Sequence, residues 1–458
     1  MIEYWKTFKI KGKFWDPLNT GIFKLGELEY NPKKGITLFL DEKLKQYNNF
    51  NLNILHGELL NGKSVTLQNL NIVSIGPLIN SPVIYLVERI FYNALIDDFR
   101  NCNISSLELT PSYIFEWINL SGLNLENYIE DGPNNFFIQY NKPEAIKFEL
   151  SENYEFEIGT SYEGLTFKQI QIDFYLKQVG YIILRTIKEK ENILQIIEKM
   201  KNILSFFSFA TSTLVYSNVF ICYLEKGKSN YIEVLEAPFA EEPSDQTNTY
   251  SMLFTYHEIE DNFQGLLKSW NQNSNFFSII LNMYFDYTLN HNNKVENKFL
   301  NLTQALEKLH RILKNGIYID ATAYKDSVYN PMVNSIPKDI PSNLRDSLKS
   351  RLKYGNEISL RNRLKELFED SHLFKTLMIN NSNDFIKRIV DTRNYLTHYE
   401  KDETFYILKD KELQIYTYKL YSFLKYQICK YFELKEDMIR RIILKDRDNI
   451  SLFEARNS

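Results

Sequence analysis

Beyond about Phe263 the strand signal in this chain disappears and a helical periodicity takes over to the end, and that change limits what the chain can fold into more than any other feature. Upstream, apolar and polar residues alternate, as in TFKIKGKFW and GITLFL, and the strings DPLNTG, YNPKKG and LNGK interrupt them. A period of two puts one set of side chains on one face of a strand, and Asn-Gly pairs suit the tight turns between twisted strands. Downstream the period is that of a helix. Phe299, Leu302, Ala305, Leu306, Leu309, Ile312 and Leu313 form one apolar stripe and Leu344, Leu348 and Leu352 another, and 384–399 and 413–432 continue in the same style. The expected fold is therefore α+β and multidomain, a β-rich N-terminal half followed by an all-α helical bundle. The expected domains are a β-rich region over 1–290, with subdomains of about 1–140 and 141–290, and a helical domain over 297–458.

Within the β-rich region the strand pattern returns over Ile146 to Ile187, and a helix follows with Ile193, Ile196, Ile197, Met200, Ile203, Leu204 and Phe207 at helical spacing. Strands are expected at Val219–Leu224 and Tyr231–Leu235, and a long acidic loop at EAPFAEEPSDQTNTYSM. Pro82 to Phe99 fits a strand or a short helix equally well. The uncharged run from Ile203 to Leu224 carries seven Ser, Thr or Asn residues and continues a charged helix, so it reads as a helix end followed by a buried strand, with no membrane partner. The first residues contain no apolar signal-peptide core. Cys102, Cys222 and Cys429 lie far apart without CxxC spacing, which excludes a disulfide framework or a cysteine zinc site and fits a reducing, cytoplasmic location.

The formal charge of −4 hides a division. From Asn297 onward there are 29 Lys+Arg against 22 Asp+Glu, a net +7, and the remainder carries −11. A basic helical domain is suited to a polyanion partner. Gly57-Glu58-Leu59-Leu60-Asn61-Gly62-Lys63-Ser64 matches the phosphate-loop pattern, but the alternating run VTLQNLNIVSI follows it where a helix should begin. A β-hairpin tip is expected there instead.

The segment DFIKRIVDTRNYLTHYEKD carries the chemistry. Arg393 and His398 stand five residues apart near a helix end, with Asn394 after the arginine and Asp391 and Glu400 flanking. An imidazole ordinarily titrates near pH 6.5 and can take or give a proton at neutral pH, while a guanidinium can hold a phosphate through two bonds and stabilise its developing charge. Arg393-Asn394-Tyr395-Leu396-Thr397-His398 fits the Arg-x4-6-His signature and resembles the HEPN superfamily of prokaryotic ribonucleases. Four further strings resemble its ApeA-like branch of anti-phage proteins: GELEYNPKKGITLFL (Gly26 to Leu40), LHGELLNGKSVTL (Leu55 to Leu67), FLNLTQALEKLHR (Phe299 to Arg311) and YGNEISLRNRLKELFED (Tyr354 to Asp370).

The resemblance implies a metal-independent endoribonuclease that leaves a 2′,3′-cyclic phosphate and a 5′-OH, with Arg393, His398 and Asn394 as catalytic residues and Glu307 as a further polar candidate. RNA, tRNA included, is the implied substrate, and the N-terminal domain is the implied receiver of a phage-derived trigger. Five residues on a continuous helix turn the chain by about 500°, so Arg393 and His398 fall about 140° apart on its surface. A bent helix or a symmetric homodimer is then needed to bring both groups to one phosphate, and the single Arg-x4-His copy favours the homodimer. His56, His257, His291, His310 and His372 show no HxH or HExxH spacing, so neither a metal nor a cofactor is expected. The competing expectation is a non-catalytic RNA- or protein-binding module whose helical domain serves dimerisation.

Overall fold

The computed structural model describes residues 6–42, 51–75, 82–128, 135–166, 175–225, 230–237, 249–290, 292–398 and 406–456. They form two compact units, Met1–Asn271 and Gln272–Ser458.

In the first unit, β1 (Phe8–Trp15), β2 (Phe23–Asn31), β3 (Gly35–Leu40), β4 (Asn51–Leu59), β5 (Ser64–Ile75) and β6 (Val83–Tyr92) close into an antiparallel barrel. The order runs β6-β3-β2-β1-β4-β5, and β5 returns to β6. Alternation drives the closure: Lys9, Lys11 and Lys13 of β1 are exposed, while Phe14, Leu28, Tyr30, Leu38, Leu55, Leu67 and Tyr85 share the buried interior. Each large apolar side chain contributes roughly 1.5–3 kcal/mol by leaving water, and the return of β5 to β6 closes the sheet on itself. The segment 82–99 resolves as a strand over Val83–Tyr92. Its first half pairs with β3 and its last residues, Arg89–Tyr92, pair with Glu233–Glu236.

That exchange of partners carries the sheet beyond the barrel. The remaining strands are β7 (Asn103–Ile104), β8 (Ser106–Leu109), β9 (Leu123–Tyr128), β10 (Asn135–Tyr140), β11 (Ile146–Ser151), β12 (Tyr154–Thr166), β13 (Tyr175–Thr186), β14 (Glu191–Asn192), β15 (Val219–Tyr223) and β16 (Tyr231–Glu236). From β6 the order continues β16-β15-β8-β13-β12-β11. Strands from both sides of residue 140 share this sheet, because β8 lies between β13 and β15. Helices α1 (Ile114–Ile118), α2 (Ile193–Thr211) and α3 (Tyr256–Ile259) complete the unit with the start of α4 (Phe263–Leu289). Asn192 caps α2 by accepting from Leu194 N at 2.9 Å, and all seven apolar residues expected on its inner face are buried. Trp117 meets Phe207 edge-on at 4.9 Å.

The uncharged run is a helix end and a strand. Within it α2 stops at Thr211, Ser212 adopts a left-handed conformation, and β15 follows. Ser208 and Thr211 donate to the carbonyls of Leu204 and Phe207, which is how hydroxyls are accommodated in a buried helix. Among the described residues no helix is long and apolar enough to cross a membrane. The phosphate-loop pattern is a hairpin tip: Gly57 pairs with Val65, Gly62 turns the chain at φ +79°, and Lys63 lies over Tyr92 and 3.4 Å from Glu233. Most of the expected acidic loop, 238–248, lies outside the described residues.

The second unit comprises the rest of α4 with α5 (Val295–Lys314), α6 (Ala321–Tyr324), α7 (Asn330–Asn334), α8 (Ser342–Lys353), α9 (Leu360–Glu369), α10 (His372–Met378), α11 (Ser382–His398), α12 (Asp410–Tyr431) and α13 (Glu436–Arg456). Its core includes Phe368 stacked on Phe423 at 4.0 Å, with Phe374 and Phe385 against Phe368. Phe277 and Tyr284 of α4 pack on Tyr431 and Tyr421 at 4.5 and 5.0 Å. The helical unit therefore begins inside α4, upstream of the expected start at 297. The stripe on α5 is buried from Phe299 to Leu309. The stripe on α8 is not: Leu344 is exposed and Leu348 and Leu352 are half-buried, so among the described residues it enters no core.

Candidate active site

Helix α11 begins at a polar cap, where Asn381 Oδ1 accepts from the backbone N–H groups of Asn383 and Asp384. Phe385, Ile386 and Ile389 then bury one face. Three ties fix its second half. Asp391, 4% exposed, accepts from Tyr406 N at 3.3 Å, and Thr392 Oγ1 accepts from Leu408 N at 3.0 Å. Arg388 bridges Asp384 and Glu412 and lies 3.9 Å from the Tyr406 ring centre. Asp391 is thus a structural residue that anchors the chain after α11, and Glu400 lies outside the described residues.

This anchoring holds Arg393 and Asn394 toward α5. Arg393 Nη1 donates to Asn394 Oδ1 at 3.3 Å, and Nη2 stands 3.6 Å from Glu307 Oε1. The Arg393 guanidinium thus contacts Asn394 through one terminal nitrogen and Glu307 through the other. All three line a cavity of about 570 Å³, whose other walls include Arg311, Glu357, Arg361 and Arg363.

His398 is placed differently. It is the last residue of α11, exposed, and does not line the cavity. The helix is continuous from Ser382 to His398, so no break in it turns His398 back toward Arg393. On an ideal helix that spacing sets His398 about 7.5 Å along the axis and about 140° around it from Arg393. The structure thus unites Arg393, Asn394 and Glu307 and leaves His398 outside their cavity.

The ApeA N-terminal domain 1 family matches residues 9–270, more than half of the chain. The chain belongs to the ApeA family. A second match, to the Apea-like HEPN family, covers residues 300–438 and contains every residue of the cavity. The domain pair of this ApeA-family chain is that of an anti-phage HEPN-type effector. No curated protein and no solved structure matches it.

Sequence reasoning missed Arg311, Glu357, Arg361 and Arg363. Arg311 ends the string FLNLTQALEKLHR, and the other three lie in YGNEISLRNRLKELFED. Both strings carried the resemblance, so their charged residues were the signal available. Without the fold nothing brought them to Arg393.

Proposed function

We propose that this chain is an anti-phage, metal-independent endoribonuclease of the HEPN type, acting as a homodimer in the cytoplasm. The observation that carries the proposal is the meeting of Arg393, Asn394 and Glu307 at an arginine-rich cavity inside the HEPN-matched region. In the proposed reaction the 2′-oxygen attacks the adjacent phosphorus, its proton passes to His398, and the bond from phosphorus to the 5′-oxygen breaks. The His398 imidazolium then gives its proton to the departing 5′-oxygen, which leaves a 2′,3′-cyclic phosphate, a 5′-OH and a neutral histidine. Arg393 balances the charge that develops on the non-bridging oxygens. With His398 and Arg393 turned apart on an unbroken helix, pairing with a second chain supplies the missing partner group. The β-rich unit is then the part that answers a phage-derived trigger, and RNA, tRNA included, is the substrate.

The test incubates wild-type protein, Arg393→Ala and His398→Ala with total cellular RNA in EDTA and maps the ends. Cleavage that survives chelation, leaves cyclic phosphates and falls by at least about a hundredfold in both variants is the expected result. RNA left intact by wild type and both variants would instead support the binding-module reading, which the absence of His398 from the cavity lining favours.

A further inference from the structure

The cavity beside Arg393 holds more positive charge than one phosphate contact requires. Arg311, Arg361, Arg363 and Arg393 line it against Glu307 and Glu357, leaving two unbalanced positive charges. Arg363 is the unusual member. Its side chain is 3% exposed, its Nε donates to Ile358 O at 2.6 Å and its Nη2 to Gly316 O at 3.2 Å, yet Nη1 has no hydrogen-bond partner among the described residues. A buried guanidinium N–H without an acceptor forfeits its hydration with nothing in return, so proteins rarely keep one. Burial, and next the neighbouring Arg311, press its pKa below the ordinary guanidinium value.

The backbone is shaped around this group. Gly316 sits at φ +68°, and a Cβ there would come within 2.5 Å of Arg363 Nη1 and 3.0 Å of Arg311 Cγ. The bridge between Ile317 and Glu357, together with the bond from Ile358 N to Gly316 O at 3.1 Å, fixes the glycine against the arginine. Ser359, which caps α9, and its first residues Leu360 and Arg361 form the adjoining wall, so the N-terminus of a ten-residue helix borders the same space.

We propose that the α9 end of this cavity is a second phosphate subsite beside the one Arg393 serves, with Arg311 and Arg361 as its contacts and the buried Arg363 charge behind them, and that it takes a neighbouring phosphate of the RNA backbone. The assignment rests on the ribonuclease reading for the source of the phosphate, and on this geometry for the phosphate itself. Arg311 and Arg361 are positioning residues: they hold the strand in register while Arg393 acts at the reacting phosphorus.

The experiment measures binding of a fluorescent 2′-O-methylated oligoribonucleotide, which lacks the attacking hydroxyl, to full-length wild type, Arg361→Gln, Arg311→Gln and Arg363→Lys, across salt concentrations. Arg361 and Arg311 are exposed, so their variants remain folded if Arg363→Lys does not. The dissociation constant is expected to rise about tenfold in each, with a salt slope shallower by about one and an unchanged thermal midpoint in the two exposed variants. Adenosine monophosphate as competitor separates the two sources of phosphate. Displacement of RNA by millimolar nucleotide, lost in the arginine variants, upholds the site. Binding of the nucleotide alone, without RNA, upholds the phosphate site and rejects the backbone as its source. Unchanged affinity and slope in all three variants overturn the site even where wild type cuts RNA. Altered binding in a protein that never cuts RNA keeps the site and rejects the ribonuclease reading.

Discussion

Glu307 is where two demands on one side chain meet. At 3.6 Å from Arg393 it steadies the guanidinium, yet a carboxylate in the cavity also repels an arriving phosphate. Glu307→Gln is therefore expected to lower kcat about fivefold, the worth of a partly exposed ion pair of about 1 kcal/mol, while KM falls or stays level. A purely structural glutamate would move neither under single-turnover conditions. Asp391 shows the opposite outcome: a flanking carboxylate in the motif, it is buried and spent on the backbone of Tyr406.

At the scale of elements, polar groups inside helix and strand pairs decide how firmly the scaffold is held. Lys425 of α12 and Asp446 of α13 are each about 5% exposed, paired at 3.0 Å and joined by Ser422 and Tyr418. Lys425→Met leaves the aspartate's charge in the core without a cation and should cost about 3–5 kcal/mol, read as a shift in urea midpoint; adding Asp446→Leu should recover much of it. In the first unit, burial pushes the Glu157 carboxyl up, but Arg185, Tyr181 and Lys147 outweigh burial and hold it below its ordinary value of 4.5. A depressed carboxyl stabilises the fold above its ordinary pKa and gives that up as pH falls through the depressed one. Wild type should accordingly lose stability below about pH 4.5 more steeply than Glu157→Gln, as followed by thermal melts from pH 6 to 3.

For the whole molecule the decisive question is whether one phosphate is served by one chain or two. Sedimentation is expected to give twice 54.4 kDa. Mixing inactive Arg393→Ala with inactive His398→Ala should restore about a quarter of wild-type activity, since half of the dimers are mixed and each mixed dimer holds one intact composite site. Mixtures that stay inactive while exchanging subunits would rule out the two-chain site. Removing the β-rich unit is a further test of its control over cleavage, and the cut must fall before residue 272. A cut at 290 would strip away Phe277 and Tyr284, which are fully buried in the helical unit. Much of this design was legible beforehand. Periodicities of two and of about 3.6 are local properties of a chain, so the change from strands to helices near Phe263, the α2 core face and the hairpin at Gly62 could be read from residues alone. The Arg393-to-His398 spacing likewise determined that the two groups face apart on a helix. Barrel closure through β6, the start of the helical unit inside α4, the unburied stripe of Leu344 and the gathering of Arg311, Arg361 and Arg363 around Arg393 could not be read so. Each joins residues far apart in sequence, and only packing decides which surfaces meet.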